Sequence, residues 1–502
     1  MTDGFVPLVE PLGDTVDPAD ACARFLDLPY VLFLDSAATQ HPDAHYSFLA
    51  ADPAVVVRSK GDVAEKWSSS DGNWSPLVGD ALSAARSLLP DEPAEPISGL
   101  PPFQGGIAGY IGYDWSAVLE RLPRPRFDDL AIPDVVLGMY DWVIAWDHRI
   151  GTAWLISTGL PEVGSVRTGR ARERMDMVRE RLGERANGRT GPQARERTAG
   201  GAYGRTGMTP APSYPLTGVE GAEKIGLRST FTREGYLQAV SQVREYIVAG
   251  DIFQANLSQR FQSPWMNAPY ELYRKLRLRN PAPFAAYLDF GDVAVLSASP
   301  ERFLRLDEDR RHIETRPIKG TRPRGLGPMH DAALGRALAE SQKDRAENVM
   351  IVDLLRNDLS RVCRPGTVRV PELFALEHHP TVHHLVSTVV GEIEAGASAF
   401  DLIRAAFPGG SITGAPKVRA MEIIAELEPT QRAVYCGSIG YVSITGAMDT
   451  SIVIRTYLAL NGHVYFQAGG GIVADSDPEL EYRETLDKAR GLIETLVERS
   501  RV

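Results

Sequence analysis

The chain has 502 residues, of which 43% are hydrophobic and 24% charged, and its formal net charge is −11. A chain of this length buries a large core and commonly forms more than one domain. The acidic balance argues against a nucleic-acid partner, and no apolar run approaches the ~20 residues of a membrane-spanning helix. Met1-Thr2-Asp3-Gly4 lacks the basic and apolar parts of a signal peptide, and three well-separated cysteines suggest no disulfide framework, so we expect a cytoplasmic protein.

Residues 1–160 are predicted to form a β-rich N-terminal domain. The runs 30–34 and 46–50 are apolar and of strand length, and the run 142–146 has the same character. The glycine-dense stretch 105–114 is typical of a strand packed closely against its neighbours. No Gly-Lys-Ser/Thr follows it, which argues against a phosphate-binding loop.

Residues 161–222 differ in composition from the preceding part of the chain. The stretch 171–186 is charged and has helical spacing, whereas 187–212 is rich in Gly, Arg and Thr and poor in apolar residues. A segment of the second kind cannot bury enough surface to order itself. We interpret 161–222 as a linker or variable insertion, with a basic interaction arm as the functional alternative, and place a second domain at 223–502.

The second domain begins with a predicted helix and a strand. Thr232 starts the helix, in which Tyr236, Val240 and Val243 recur at helical spacing, and Gly250 ends it. Residues 253–261 then alternate as a strand. A further apolar strand at 293–296 leads into Ser299-Pro300-Glu301, and a lone glutamate in such a place is usually solvated.

The segment Arg316-Pro317-Ile318-Lys319-Gly320-Thr321-Arg322-Pro323-Arg324-Gly325 holds one lysine among three arginines. Like charges nearby favour the neutral amine. Because an ordinary lysine has a pKa near ~10.4, the three guanidiniums are expected to lower the pKa of Lys319 and increase its nucleophilic fraction. The alternative is a basic surface turn that binds nothing.

Two pairs of carboxylates have the same spacing. Asp344 and Glu347 are three residues apart, and Glu481 and Glu484 repeat the arrangement, with Lys488 four residues after Glu484. This spacing places each pair on one face of a helix. Two such pairs could together hold one Mg2+, which prefers oxygen ligands. Without further context they would be surface salt-bridge partners.

Four histidines lie close together in the sequence: His378, His379, His383 and His384. They are not accompanied by the cysteines or the paired spacing of a zinc module.

A glycine-rich loop at 407–417 enters a helix, and the free N–H groups of such a start bind anions. Downstream, Arg455 lies on an otherwise apolar strand and needs an acidic partner. A substrate carboxylate bound by two hydrogen bonds would provide it.

The motif Pro317-Ile318-Lys319-Gly320-Thr321-Arg322, with Ser299-Pro300-Glu301 and the string 414–424, resembles the signature of the chorismate-using enzymes. The resemblance is strong over 225–498 and weak over 20–155. It implies an α+β fold in which two large β-sheets pack as a sandwich with helices outside. Anthranilate and isochorismate synthases of the family typically carry alanine at the position of Lys319, whereas aminodeoxychorismate synthases carry a lysine nucleophile.

The resemblance also implies a role for each matching residue. Lys319 matches the nucleophile and Glu301 the general acid, Glu347 and Glu484 match direct Mg2+ ligands, and Asp344 and Glu481 match the carboxylates behind them. Chorismate contacts fall on these residues: Gln254, Thr321, His384, Gly414, Tyr435, Arg455, Gly470, Gly471 and Lys488. A looser match to the tryptophan pocket of the family falls on Ser36, Tyr46 and Ser47, where a plain sheet edge is the alternative.

The implied reaction converts chorismate and ammonia to 4-amino-4-deoxychorismate, an aminotransferase-type step toward p-aminobenzoate and folate. Gln254 occupies the position of a lysine base in relatives that add water, and a glutamine suits a nucleophile that arrives as ammonia. The sequence shows no glutaminase domain, so ammonia is expected from a separate glutamine amidotransferase subunit. Anthranilate synthase component I, or a non-catalytic tryptophan-binding subunit, are the alternatives.

Overall fold

Two large β-sheets, of 13 and 12 strands, carry the fold. The structure is a computed structural model that describes residues 6–13, 17–69, 71–183, 210–379 and 382–497. The strands are β1 Leu8–Leu12, β2 Val31–Asp35, β3 Tyr46–Ala50, β4 Val55–Lys60, β5 Val63–Ser68, β6 Trp74–Leu77, β7 Gly106–Ile111, β8 Val135–Tyr140, β9 Trp142–Asp147, β10 Thr152–Ser157, β11 Tyr214–Pro215, β12 Arg228–Ser229, β13 Gln254–Pro264, β14 Phe284–Asp289, β15 Ala294–Ser299, β16 Arg302–Leu306, β17 His312–Thr315, β18 Ile318–Pro323, β19 Arg369–His378, β20 Val382–Glu392, β21 Gly414–Ala415, β22 Ser438–Ser443, β23 Met448–Ile452, β24 Thr456–Leu460 and β25 His463–Ile472. The α-helices are α1 Pro18–Ala23, α2 Ala81–Arg86, α3 Ser116–Leu119, α4 Gly164–Gly183, α5 Arg233–Val248, α6 Pro269–Arg279, α7 Pro328–Ala339, α8 Gln342–Ser360, α9 Ala399–Ala406, α10 Lys417–Leu427 and α11 Pro478–Val497.

Both sheets combine strands from the two ends of the chain. The first has the order β1-β10-β9-β3-β2-β14-β15-β24-β25-β13-β12-β11, with β21 beside β13, and the second has β18-β20-β17-β16-β23-β22-β7-β8-β4-β5-β6, with β19 beside β20. The joins are the antiparallel pairs β2 with β14 and β7 with β22. The division into 1–160, 161–222 and 223–502 stays a prediction; the topology adds that the outer two regions share both sheets.

The two sheets face each other across an apolar core. Phe48 and Leu288 of the first sheet belong to the same buried cluster as Val136 and Ile439 of the second. Other clusters join the sheets to helices: Leu492 of α11 packs with first-sheet residues, and α2 and α9 pack with second-sheet residues. The expected α+β sandwich with helices outside is confirmed.

Helix caps bring the acidic residues to the start of α8 and α11. The Ser341 hydroxyl accepts a hydrogen bond of 3.2 Å from the backbone N–H of Asp344, and the Asp477 carboxylate accepts one of 3.0 Å from that of Leu480. Pro478 occupies the first position of α11, where its missing N–H costs nothing. Asp344, Glu347, Glu481 and Glu484 therefore lie in the first two turns of their helices.

The first part of the expected insertion is helical. Helix α4 buries Ala171, Met175 and Val178, and Arg170 and Arg174 pair with the buried Asp141 at the end of the β8–β9 hairpin. The Gly- and Arg-rich remainder, 184–209, lies outside the described residues. Over the described ranges, none of the helices combines the length and the apolar character required for a membrane span.

Candidate active site

Lys319 lies on β18, beside β20, and is half-buried. Its Nζ donates a hydrogen bond of 2.9 Å to the carbonyl oxygen of Ser411, in the loop before β21. Burial lowers the pKa of Lys319, against the opposing charge of Glu347, and the ammonium of Lys488 lowers it further. The amine is therefore neutral more often than that of an exposed lysine, which favours nucleophilic chemistry.

The three arginines near Lys319 in sequence do not cause this pKa shift. Each guanidinium has its own carboxylate partner: Arg316 pairs with Asp43 at 3.0 Å and with Glu377, Arg322 with Asp344 at 2.7 Å, and Arg324 with Asp331 at 2.6 Å. The expectation that these arginines lower the pKa of Lys319 is wrong, because their charges are neutralised locally. The cation that acts on Lys319 is Lys488 of α11.

Glu301 follows β15 and is only 5% exposed. Burial raises the pKa of its carboxyl group, while a hydrogen bond with the Ser411 side chain and the charge of Lys319 act in the opposite direction. A raised pKa is what a general acid needs near neutral pH. Ser411 thus accepts a hydrogen bond from Lys319 through its carbonyl, and its side chain lowers the pKa of Glu301. The sequence analysis did not single out Ser411; its position in the loop 407–417 was the available signal.

The predicted carboxylates of α8 and α11 act on one another electrostatically at the starts of the two helices. The ammonium of Lys343 lies 3.9 Å from Oε1 of Glu347 and 3.8 Å from Oε1 of Glu481, and so bridges the two helices. Burial raises the pKa of Glu347, and the negative charges of Asp344 and Glu484 raise it further. A bound cation would relieve this repulsion between the carboxylates.

The surroundings of these carboxylates fit a Mg2+ site. Glu481 accepts a hydrogen bond of 2.6 Å from the Ser476 hydroxyl, and Glu484 pairs with Lys488 at 2.8 Å. A Cβ atom added to Gly470 would lie 3.1 Å from Oε2 of Glu481 and 3.3 Å from Oε1 of Glu484, so the glycine leaves these oxygens room. The donors are all oxygen atoms, as Mg2+ prefers.

Gln254 is fully buried at the start of β13, between β21 and β25. Neither its Nε2 nor its Oε1 atom has a hydrogen-bond partner within the described part of the chain. A Cβ atom on Gly471 would lie 2.3 Å from the Gln254 Nε2, and one on Gly414 would lie 2.1 Å from the Gln254 carbonyl oxygen. Only glycine therefore fits at position 471 beside the amide side chain and at position 414 beside the backbone of Gln254. An unsatisfied buried amide costs free energy, and a polar ligand would supply the missing partners.

His384 and Thr321 face each other across the β18–β20 pair. The Thr321 hydroxyl lies 2.9 Å from Nδ1 of His384. Burial, followed by the charge of Arg455, lowers the pKa of His384 to about 3, so the ring is neutral at physiological pH.

Arg455 has positive φ, a rare conformation for a residue with a side chain. Among the described residues, its guanidinium forms no ion pair or side-chain hydrogen bond. Burial lowers the pKa of Arg455, against the opposing charge of Glu301. An unpaired cation in such a place is suited to an anionic ligand.

Tyr435 and Lys488 complete the predicted set. Tyr435 is buried, and the Arg432 guanidinium lies 5.8 Å from its ring centroid. The Lys488 ammonium donates a hydrogen bond of 2.9 Å to the carbonyl oxygen of Gly469. The groups that act on Lys319 come from α8, α11, the residues after β15 and the loop before β21. Gln254 lies against Gly471 and Gly414, and His384 against Thr321.

A separate cavity of about 570 Å³ is lined by residues of the N-terminal region and by residues from 283 to 451. Ser36 and Tyr46 line it, whereas Ser47 lies behind them and accepts a hydrogen bond of 3.0 Å from the backbone N–H of Ser36. Arg302 and Asp449 contribute charge to its wall. Lys319 and the four carboxylates of α8 and α11 do not line it.

This sandwich of two large sheets with helices outside is the fold of the chorismate-using class. A family model described as chorismate binding enzyme matches residues 31–494, and the chain belongs to that family.

Similar proteins include both aminodeoxychorismate synthases and anthranilate synthases. Aminodeoxychorismate synthase component 1 of Escherichia coli (strain K12) is 40% identical over 475 residues, covering 94% of this chain and 95% of that protein. Anthranilate synthase component 1 of Thermus thermophilus is 42% identical over 408 residues, covering 80% of each. Among solved structures, anthranilate synthase component I from Streptococcus pneumoniae TIGR4 matches with a TM-score of 0.72 and 30% identity, over 90% of this chain and 93% of that one.

Proposed function

We propose that this chain is the chorismate-converting component of an aminodeoxychorismate synthase and forms 4-amino-4-deoxychorismate from chorismate and ammonia. Relatives named aminodeoxychorismate synthase match over nearly the full length, but the similarity to anthranilate synthases is close enough that identity alone does not separate the two. The observation that carries the proposal is Lys319, half-buried and close to both Glu301 and Glu347. An alanine there would offer no nucleophile.

In the proposed chemistry, Nζ of Lys319 forms a bond to C2 of chorismate while the C4–oxygen bond breaks. Glu301 gives its proton to the departing hydroxyl, which leaves as water. Ammonia then forms a bond to C4 as the Nζ–C2 bond breaks, and the new ammonium group returns a proton to Glu301. The raised pKa of Glu301 and the lowered pKa of Lys319 support these two roles.

Substrate binding is assigned by charge and by unsatisfied polar groups. We assign one chorismate carboxylate to Arg455, beside Tyr435 and His384, and a polar contact to the unpaired amide of Gln254. Thr321, Gly414, Gly470, Gly471 and Lys488 complete the proposed contact set. Glu347 and Glu484 would hold Mg2+, supported by Asp344 and Glu481. When bound, the ion would neutralise a substrate carboxylate.

Ammonia is proposed to come from a separate glutamine amidotransferase subunit. A glutaminase needs a reactive cysteine, and all three cysteines of this chain are buried. Burial raises the pKa of Cys363 to about 11 and that of Cys436 to about 12, so neither is a thiolate at neutral pH. With glutamine as the only nitrogen source, the chain alone should form no product, and product formation would contradict this part of the proposal.

Tryptophan is proposed to occupy the cavity lined by Ser36 and Tyr46. Phe48 and Met448 give the cavity apolar walls, and Arg302 and Asp449 give it one positive and one negative charge. This combination suits a zwitterion with a large ring. Calorimetric titration with tryptophan should show binding that Ser36→Phe weakens by filling the cavity. If the variant and the wild type bind tryptophan with equal affinity, tryptophan binds at another site.

The deciding experiment is product analysis. The purified chain is incubated with chorismate, ammonium and Mg2+, and the product is identified by mass spectrometry. We expect 4-amino-4-deoxychorismate, and loss of its formation by about 100-fold or more in Lys319→Ala. Lys224→Ala, at an exposed site, is the matched control. Fluorescent anthranilate as the wild-type product, or full activity of Lys319→Ala, would overturn the proposal.

A further inference from the structure

A fully buried ion pair lies beneath the candidate active site. Arg432 is 1% exposed and Glu428, at the end of α10, is 3% exposed. The guanidinium binds the carboxylate with two hydrogen bonds, Nε to Oε2 at 2.8 Å and Nη2 to Oε1 at 2.7 Å. The sequence analysis gave neither residue a role.

The free energy of folding does not explain this pair. Removing two charges from water costs a hydration free energy that their mutual attraction barely offsets. Apolar residues of similar size in the same place often give equal stability. A buried arginine with a bidentate partner does offer a rigid planar set of N–H donors. The role of the pair therefore depends on the groups to which those N–H donors bind.

The remaining donors of Arg432 hold two backbone carbonyl groups at the site. Nη1 donates to the carbonyl oxygen of Ile412 at 3.0 Å, and Nη2 donates to that of Asn256 at 2.6 Å. The Asn256 side chain donates to the same Ile412 oxygen at 3.0 Å. Glu428 in turn accepts hydrogen bonds of 2.8 Å from the backbone N–H and the hydroxyl of Ser258. The pair thus fastens the loop before β21 to strand β13.

Both fastened segments carry groups of the candidate site. Ile412 directly follows Ser411, whose carbonyl accepts a hydrogen bond of 2.9 Å from Lys319 and whose side chain lowers the pKa of Glu301. Asn256 lies two residues after Gln254 on the same face of β13. A shift of the Ile412 carbonyl would therefore move the support shared by the candidate nucleophile and the candidate acid.

We propose that Arg432, oriented by Glu428, is a positioning residue for the reaction: it fixes the Ile412 carbonyl and thereby sets Ser411 against Lys319 and Glu301. The inference rests on the proposed function for the roles of Lys319 and Glu301. Arg432 itself touches no reacting atom. Its contribution is the placement of the Ser411 carbonyl and hydroxyl.

The test compares Arg432→Lys with the wild type. Lysine keeps a positive charge beside Glu428 but cannot reproduce the planar fork. We expect kcat with ammonium to fall by up to about 100-fold, as for a misplaced catalytic group, with little change in KM for chorismate. Arg260→Lys is the matched control, because Arg260 is also a buried arginine of this region but pairs with Asp129 instead. An equal loss of kcat in both variants would show that the effect is general destabilisation and would contradict the proposal.

A double-variant cycle with Ser411→Ala separates positioning from a structural role. Because the Ser411 side chain lowers the pKa of Glu301, loosening or removing its interaction should move the limb of the kcat profile that titrates with Glu301 to higher pH. Each single variant should show this shift, and Arg432→Lys/Ser411→Ala should shift no further than Ser411→Ala alone. Additive shifts, or an unmoved limb in Arg432→Lys, would overturn the proposal.

If Arg432→Lys does not fold, Glu428→Gln takes its place in the same cycle, since glutamine keeps the shape and one acceptor oxygen. The same outcomes decide: a shared shift supports the proposal and an additive or absent shift contradicts it. Failure of the proposed function is detected separately, by the identity of the wild-type product. The comparison of variants with the wild type remains valid whichever amine product is formed.

Discussion

The ammonium of Lys319 and the carbonyl oxygen of Ser411 are joined by a hydrogen bond of 2.9 Å across 92 positions of the chain. Because the Ser411 side chain also lowers the pKa of Glu301, one loop residue acts on both the candidate nucleophile and the candidate acid. The pKa values of the two groups are therefore tied to the placement of a single loop. This coupling makes the pH dependence of the reaction the most informative observable.

The first prediction concerns Ser411→Ala. The reaction requires protonated Glu301, so activity is lost as the pH rises through the pKa of this group. The substitution removes an interaction that lowers this pKa, and the limb of the kcat profile that titrates with Glu301 should move to higher pH. Ser263→Ala, on β13, is the control, and ammonium titrates identically in both enzymes. A limb that stays in place or moves to lower pH would contradict the role of Ser411.

The second prediction concerns Lys488→Gln. Nucleophilic attack requires neutral Lys319, so activity is lost as the pH falls through its pKa. Removal of the Lys488 charge should raise this pKa and move the limb that titrates with Lys319 to higher pH. The profile is measured at saturating Mg2+, because Lys488 also pairs with Glu484. Arg324→Gln should leave the limb unchanged, since its guanidinium pairs with Asp331; a shift of equal size in this variant would restore the arginine hypothesis.

The contrast between Lys488 and the arginines shows where sequence reasoning fails. Proximity in sequence predicts that Arg316, Arg322 and Arg324 act on Lys319, but each finds a carboxylate elsewhere, such as Asp43 of the N-terminal region. The charge that does act on Lys319 comes from α11. Which ion pairs form depends on strand and helix packing, and the sequence carries no local signal for it.

Local patterns predicted the elements better than their pairing. The cap at Thr232 and the carboxylate spacings at Asp344 and Glu481 depend on short-range geometry, and the corresponding helices are present. The shared sheets, in contrast, depend on the pairs β2 with β14 and β7 with β22, which join residues more than 200 positions apart. The sandwich itself was predicted from the family resemblance, and periodicity alone would not have given it.

The third prediction concerns the carboxylates of α8 and α11. Mg2+ that binds only the folded chain should raise the thermal midpoint of unfolding. Glu347→Gln removes one proposed ligand, so the stabilisation by Mg2+ should fall and the apparent Mg2+ constant for activity should rise. Asp353→Asn is the control on the same helix, because Asp353 is 62% exposed and pairs with Arg356. An unchanged Mg2+ response in Glu347→Gln would remove this residue from the metal site.

The fourth prediction tests how the loop 407–417 is anchored. The ammonium of Lys417 binds Asp358 at 2.6 Å and the carbonyl oxygens of Ala406 and Pro408 at 2.9 Å each. Lys417→Met would leave the Asp358 carboxylate, only 4% exposed, without its cation. Breaking a buried pair in this way costs about 3–5 kcal/mol, and we expect a corresponding decrease in the free energy of unfolding measured with urea.

Arg419→Met provides the matched comparison, because it lies two residues further along α10. Its partner Asp251 is 39% exposed, and water screens the pair, so its loss should cost about 0–1 kcal/mol. The double variant Lys417→Met/Asp358→Leu should recover part of the loss, since no unpaired buried charge then remains. Similar costs for Lys417→Met and Arg419→Met would show that the loop is held by its packing rather than by the buried ammonium.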